Sequence, residues 1–463
     1  MAMTWRSPRC FCSIAARRLA GRSTAPRRGL SATGSIAEKS RSECTPHQLY
    51  GQIAAVKACS TTAFSRQSAA AAGAGRVIFM GMPPNHPLET FKARLLPTLG
   101  DRLRDDPEIL AQVAGDASHV EAQAPAAWLG PRDVSEVSLI ARVALELGIG
   151  LVPRGSGTGK AGGCVPRAAD VVVDVSRMNK VLQLRPDDLY AVVQPGLVNQ
   201  QLDQAAGEHG LMYPPDPASW ESCSLGGNIA TNAGGPRAVK YGVTQAYVWG
   251  LQVVLVGGEV LRVGRQCIKG VAGLAMAPLF VGSEGTLGIV TEATMHLVPA
   301  PRGVCTAWLC FASPEAASAA GSRIFRAGVV PRMLELLDDP ALRAVRPYVS
   351  WPMPQATAAL LVETDGCTEE SAMQQMQQLC AAAQPDSSQV APNAQAAEAM
   401  RRTRRLVSSS LKHLFPFKIS DDIAVPRSQM PALLLEAQAQ AQAAGLQASA
   451  YGHLGDGNLH INL

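Results

Sequence analysis

Two histidines, His453 and His460, bracket the stretch His453-Leu-Gly-Asp-Gly-Asn-Leu-His460. Asp-Gly is a preferred two-residue hairpin turn, so a turn at Asp456-Gly457 would pair Gly455 with Asn458, Leu454 with Leu459 and His453 with His460. Directly opposed residues carry Cβ atoms roughly 4.5–5.5 Å apart, close enough for two imidazoles to share one metal ion. The plainer reading is a coincidental surface pair, with Asp456 serving the turn alone. A second chemistry is written in Arg154-Gly-Ser-Gly-Thr-Gly-Lys-Ala-Gly-Gly163. Glycines at this density let several backbone N–H groups approach a phosphate, because no Cβ blocks close approach or positive φ. A P-loop is excluded: Arg154 stands where it needs Gly, and Ala161 where it needs Ser or Thr. Gly157, Gly159 and Gly162 satisfy G-x-G-x-x-G, but Pro166 and a new strand follow too soon for the helix that a Rossmann turn opens. The loop therefore binds phosphate by another architecture or simply packs tightly.

Two further clusters follow, Ser222-Cys-Ser-Leu-Gly-Gly-Asn-Ile-Ala-Thr-Asn-Ala-Gly-Gly235 and Val281-Gly-Ser-Glu-Gly-Thr-Leu-Gly-Ile289. Any one could be structural. Three in one domain, separated by strands, suggest backbone wrapped around an elongated ligand with a pyrophosphate at its waist. The elements that must position them alternate. A helix runs from about Pro131 to Leu147, capped by Asp133 or Ser135 and stopped by Gly148. Short strands follow at 150–153, 171–175 and 190–194, the second continuous in β-branched residues as a doubly covered strand should be. A helix spans 197–209, and 248–256 with 259–263 form a hairpin about Gly257-Gly258. From Pro299-Ala-Pro301 the chain turns to Ala/Gln-rich helices separated by strands such as 359–363, which marks a domain boundary.

Length and composition set the outer bounds. The 463 residues have room for two or three domains, and 47% hydrophobic with 17% charged residues is globular. Seven arginines fall within residues 1–37 without one acidic residue. Removing them turns the net charge of +5 to about −2, so no basic face for nucleic acid is implied. Such an Arg-rich, Ser/Ala-rich start is the composition of an organelle transit peptide, a mitochondrion being preferred to a plastid, with a basic tail as the plain alternative. Apolar stretches stop near a dozen residues, too short to span a bilayer. Eleven cysteines without a C-x-x-C pair suit a reducing compartment.

Taken in order, Pro153-Arg-Gly-Ser-Gly-Thr-Gly159, Pro214-Pro-Asp-Pro-Ala-Ser219, Gly226-Gly-Asn-Ile-Ala-Thr-Asn-Ala-Gly-Gly-Pro-Arg237 and Phe280-Val-Gly-Ser-Glu-Gly-Thr-Leu-Gly-Ile289 resemble the FAD-binding domain of the vanillyl-alcohol oxidase superfamily. Within it the chain resembles the branch of D-lactate dehydrogenase, the glycolate oxidase flavin subunit and D-2-hydroxyglutarate dehydrogenase. The resemblance implies an α+β protein in which a two-subdomain FAD-binding domain (105–302) follows a transit peptide (1–45) and a linker with N-terminal segment (46–104) and precedes an α+β cap (303–463). It implies that Arg154, Gly155, Ser156, Gly157, Thr158 and Gly159 hold the pyrophosphate. Pro215, Ser219, Gly226, Gly227 and Asn232 would line the flavin and ribityl chain, and Ile289 would lie against the cofactor. The first loop has no histidine, so the FAD would be non-covalent. The same likeness makes His453 and His460 ligands of a divalent ion, zinc by preference, and sets Asn462 against substrate. It points to the Ala399–Arg405 region for a carboxylate-binding arginine, and the distance to Pro426 selects Arg404, against the alternative of an exposed basic helix face. One stretch departs from the branch's K-D-V-A-G-Y-D-L-T: here Lys269-Gly-Val-Ala-Gly-Leu-Ala-Met-Ala277 loses the acidic and tyrosine positions.

The activity so implied is oxidation of a small D-2-hydroxy acid, D-lactate first, glycolate or D-2-hydroxyglutarate next, with electrons passed to cytochrome c or another respiratory acceptor. A homodimer is the expected assembly. The branch carries a Glu-His-Gly segment, holding a third metal ligand and the base, beyond the position of Leu463. The sequence is therefore expected to be an incomplete version of its protein, the alternative being a chain that binds FAD but is catalytically silent.

Overall fold

A computed structural model describes residues 86–415 and 418–463. The transit-peptide region lies outside the described residues, as does most of the 46–104 segment. What is described of that segment is mostly helical. Phe91, Leu95 and Leu99 recur at helical spacing, and helix Pro87–Leu99 buries all three in the core that also holds helix Val134–Leu147.

The first sheet contains β1 (Leu103–Arg104), β2 (Ala127–Leu129), β3 (Leu151–Arg154) and β4 (Val171–Asp174), in the order β1-β2-β4-β3, with β2 and β3 parallel to β4. The three valines of β4 are fully buried, as continuous β-branched sequence demands. Asp133 caps Val134–Leu147 by accepting from the Ser135 and Glu136 amides, and the helix stops at left-handed Gly148. No helix follows the loop after β3; the chain runs through turns into β4.

The second sheet is antiparallel. Along the chain come β5 (Val181–Arg185), β6 (Tyr190–Val193), a short β7 (Leu211–Met212), β8 (Val248–Val254), β9 (Val260–Gly264), β10 (Ile289–His296) and β11 (Val298–Pro299). Five of them align β5-β6-β10-β8-β9, and β11 pairs back onto β7. Gly258, at φ +87, supplies the positive φ that the β8–β9 turn requires. Helices Asn199–Gly207 and Leu225–Thr231 cover one face.

The C-terminal sheet comprises β12 (Gly303–Phe311), β13 (Met333–Asp338), β14 (Ala358–Gly366), β15 (Ser387–Val390), β16 (Ser420–Ala424), β17 (Ser449–His453) and β18 (Asn458–Asn462), ordered β15-β12-β14-β13-β17-β18-β16. Leu334, Leu336, Leu360 and Val362 pack in the core with helices Pro314–Arg326, Glu369–Ala383 and Met430–Ala443. Met333, Leu337, Ala359 and Leu361 face the other way, with helix Ala394–Leu414. Period-two alternation therefore sets Glu335, between Met333 and Leu337, beneath that helix. Among the described residues no helix is long and apolar enough to cross a membrane.

The N-terminal half and the C-terminal half meet at Asp365 of β14. Its carboxylate, almost wholly buried, accepts from Lys240 Nζ and Tyr241 OH at the end of helix Ala238–Tyr241. Nearby, Val239 lies against Gly455, where a Cβ would come within 2.5 Å of it. Asp365→Ala strands a partly buried cation and a phenol at this joint, and should cost about 3 kcal/mol in guanidinium denaturation.

Candidate active site

The three glycine-dense segments close on one another. Gly155 rests on the first turn of helix Leu225–Thr231, where a Cβ would stand 2.2 Å from Ser224 Oγ and 3.5 Å from the Gly227 amide. Ser224 Oγ is the helix cap and accepts from Gly227 N at 3.3 Å. The third segment joins the second through Gly282 N to Ile229 O (2.9 Å) and Glu284 N to Ala230 O (2.8 Å). It joins the first through Gly285 against Pro153 and the Glu284 carboxylate near Gly163. A side chain at Gly155 would push the loops apart, and one at Gly285 would press on Pro153.

Each expected cofactor residue has a definite place. Arg154 ends β3, and its side chain folds back over Gly157 to donate to Gly115 O at 2.7 Å, so it braces the loop. Gly157 takes φ +67 to permit this. Ser156 is exposed and Thr158 half-buried, while Gly159 has no atom within 4 Å of where a Cβ would stand. Pro215 is buried with its carbonyl held by Asn199 Nδ2 (3.1 Å), and Ser219 is half-buried. Gly226 fits against Pro195, Gly227 is the capped amide, and Asn232 ends the helix at φ +50 with its Oδ1 accepting from Gln245 N. Ile289 is buried in the core shared with the first sheet. The divergent segment 269–277 carries Val271 and Leu274 outward, more than four-fifths exposed.

The histidine hairpin differs in register from the expected one. His453 pairs with Asn458 and His460 with Tyr451, and the turn takes the four residues 454–457. Leu454 is drawn into the core, Gly455 N bonds to Leu334 O, and Asp456 Oδ1 accepts from Asn458 N, so a two-residue turn cannot form. Because the shift is two residues, both histidines keep the same face. They become diagonal neighbours, with ring centroids 5.3 Å apart and planes at 79°.

Each imidazole Nδ1 is engaged by a carboxylate, which leaves each Nε2 available. His453 Nδ1 meets Glu335 Oε1 at 2.6 Å, and His460 Nδ1 pairs with Asp422 of β16. Neither carboxylate carries a sequence signature: Glu335 lies mid-strand among leucines, and only the alternation around it could have directed it inward. Its other oxygen takes Arg404 Nε at 2.6 Å. Burial alone would raise the Glu335 carboxyl, but the charges of His453 and Arg404 outweigh it and hold it down to about 2. Burial lowers His453, and Glu335 more than reverses this, so its net shift is upward; for His460 burial prevails over Asp422 and the shift is downward.

Arg404 is therefore not on an exposed basic face. It is largely buried on helix Ala394–Leu414, stacks over Tyr451 at 4.7 Å, and keeps its remaining guanidinium donors beside the histidines. One turn earlier Arg401 makes a parallel pair with Glu363 Oε1 at 2.7 Å. Asn462 is fully buried at the end of β18, and its amide nitrogen donates to Ser449 O and His460 O, while its Oδ1 has no partner among the described residues. Alternation along β18 sets Asn458, His460 and Asn462 on one face, with Asn458 directly opposite His453. Among the described residues no group of three His, Cys, Asp or Glu side chains is arranged to hold a metal ion.

Comparison with known proteins agrees with this architecture. Residues 125–264 match the family model "FAD binding domain" and residues 300–463 match "FAD linked oxidases, C-terminal domain". The chain is 39% identical to the glycolate oxidase subunit GlcD of Bacillus subtilis, covering 74% of each chain. It is 34% identical to a D-2-hydroxyglutarate dehydrogenase of Stutzerimonas stutzeri (74% of this chain, 75% of the other) and 31% identical to a D-lactate dehydrogenase of Anaerostipes hadrus (70% of each). The solved structure of p-cresol methylhydroxylase superposes with a TM-score of 0.67 at 17% identity, over 82% of this chain and 83% of that one, which shows a shared fold.

Glu335 offers a direct test of this geometry. Its folded value near 2 lies below the ordinary 4.5, so its contribution is complete above pH 4.5 and is lost as pH falls toward 2. Glu335→Gln should cost about 3 kcal/mol at neutral pH. The gap in denaturant midpoint from the unsubstituted protein should then narrow steadily between pH 4.5 and the acid limit of the measurement.

Proposed function

Because the chain belongs to the family of FAD-linked oxidoreductases that includes glycolate oxidase subunit GlcD, D-2-hydroxyglutarate dehydrogenase and D-lactate dehydrogenase, we propose that it oxidises a D-2-hydroxy acid with FAD as hydride acceptor. D-lactate is the smallest chiral candidate and the first probe, with glycolate and D-2-hydroxyglutarate as the alternatives. The observation that carries the reading is the closure of three glycine-dense segments into one cradle, in a fold whose other half presents His453, His460 and Arg404 on one face.

The residues fit a flavin dinucleotide. The Gly155–Gly159 loop lets backbone come close to a pyrophosphate, Gly159 borders empty space, and Asn228 Nδ2 is buried without a partner among the described residues on the helix carrying Gly226 and Gly227. Bound FAD supplies the acceptor for the substrate's C2 hydride at flavin N5. The remaining work falls to side chains. Arg404, held by Glu335 through Nε, keeps its other donors for the substrate carboxylate, and its planar fork fixes the orientation of the bond to be broken. His453 and His460, each turned by a carboxylate on Nδ1, present Nε2 to the hydroxyl or to a divalent ion such as zinc. Two nitrogens alone fall short of a four-coordinate site, so that ion needs a ligand beyond these two. Cytochrome c or another respiratory carrier would reoxidise the flavin, consistent with the mitochondrial reading of the Arg-rich N-terminus.

Two outcomes follow. D-lactate, glycolate or D-2-hydroxyglutarate added anaerobically should bleach the flavin absorbance of the FAD-loaded protein. A spectrum unmoved by every 2-hydroxy acid would instead mark a flavin-binding protein without this activity. Gly155→Val, which drives a side chain into Ser224, should weaken FAD retention at least tenfold in a fluorescence titration while the C-terminal sheet still folds.

A further inference from the structure

A second concentration of positive charge lies beside His453, apart from Arg404. Arg332, immediately before β13, is only 8% exposed, and its Nε has no hydrogen-bond partner. Its nearest acidic oxygen among the described residues is Glu363 Oε2 at 3.7 Å. That carboxylate is already committed, since Glu363 Oε1 accepts from Arg401 Nη1 (2.7 Å) and Thr306 Oγ1 (2.8 Å). Asp365, the next acid, is taken by Lys240 and Tyr241. Arg237, across the joint, is paired only with Asp216, at 3.3 Å from Nε. Counting Glu398, which Arg401 shares with Arg405, five cations (Arg237, Lys240, Arg332, Arg401, Arg405) thus face four carboxylates (Asp216, Glu363, Asp365, Glu398) among the described residues. Burial and the neighbouring Arg237 both push Arg332 downward, and burial lifts Asp216 to about 6, which further thins the negative charge.

The place of this surplus matters. Gly455, two residues past His453, bonds through its amide to Leu334 O and touches Val239. Arg332 stands two residues before Leu334, and Arg237 two before Val239. His453 also lies close enough to Asp216 to pull its pKa back down. Arg404 reaches the same histidine through Glu335, three residues along from Arg332 and about 10 Å of strand away. Asp216 feels Arg237, His453 and Arg332 together, which sets both guanidinium groups in the neighbourhood of the histidine.

We propose that Arg332 and Arg237 form a second anion subsite that receives the distal carboxylate of a four- or five-carbon dicarboxylic 2-hydroxy acid, so that this chain favours such diacids over D-lactate. The inference rests on the hydroxy-acid reading above and selects within it. A buried guanidinium left unpaired is costly, and a carboxylate supplied by the substrate compensates it only when a diacid binds. D-lactate, with a methyl group there, leaves Arg332 Nε without a hydrogen-bond acceptor and only the shared Glu363 charge nearby.

The test compares D-malate and D-2-hydroxyglutarate with D-lactate in anaerobic flavin reduction by the FAD-loaded protein. The better diacid should exceed D-lactate at least tenfold in kcat/KM. Arg332→Met should collapse that ratio at least tenfold, chiefly through KM for the diacid, and Arg332→Lys should restore part of it; Arg237→Met serves if Arg332→Met does not fold. Calorimetric binding of 2-oxoglutarate against pyruvate reads the same subsite without turnover. If no hydroxy acid reduces the flavin, the oxidase reading falls, and 2-oxoglutarate binding alone decides the subsite. A preference for D-lactate, or equal losses for diacid and monoacid in Arg332→Met, would overturn the proposal.

Discussion

A single carboxylate without solvent, that of Glu335, organises the C-terminal half of this protein. A charge so buried is tolerated only with matched partners, and it has two, His453 on one oxygen and Arg404 on the other. The same pairing orients both groups that the proposed function sets against the substrate. β13 must sit between β14 and β17, helix Ala394–Leu414 must lie over that face, and the β17–β18 hairpin must turn where it does, or one of the two bonds is lost. Stability and positioning are thus one requirement here.

The cofactor half is governed by a different constraint, the close approach of backbone to backbone. Gly155 against Ser224, Gly285 against Pro153 and Gly226 against Pro195 are contacts at which a Cβ would collide or press hard. This is why glycine density was informative. A run of glycines states that something must come near, and three runs spaced by strands state that the near things are each other. The two halves then meet across Asp365 and across Val239 and Gly455, which brings the positive groups Arg237 and Arg332 next to the histidine loop.

Much of the architecture was legible in the residues because its signals were local. Asp133 and Gly148 bounded a helix, Gly257-Gly258 a hairpin, and the valines of β4 a doubly covered strand. The helix Pro87–Leu99 was passed over because an Ala/Ser-rich stretch runs up to it and merges with its weaker periodicity. The histidines were found, but their register was not, since the four-residue turn is imposed by Leu454 entering a distant core and by Gly455 bonding to β13. Asn462 was named by its place in the motif, and the sheet's end buries it on the face of His460 with its Oδ1 unpartnered among the described residues. Glu335, Asp422 and Arg332 left no mark in the sequence, because an acid or base within a strand acquires a role only when long-range pairing brings its partner.

The account depends on the glycine segments enclosing one flavin dinucleotide. The most direct measurement is the FAD-to-polypeptide ratio of the folded protein after saturation with FAD and removal of the excess. The account predicts one FAD per chain, released intact when the protein is denatured, as a non-covalent cofactor must be. A chain that folds cooperatively yet retains no flavin would contradict it.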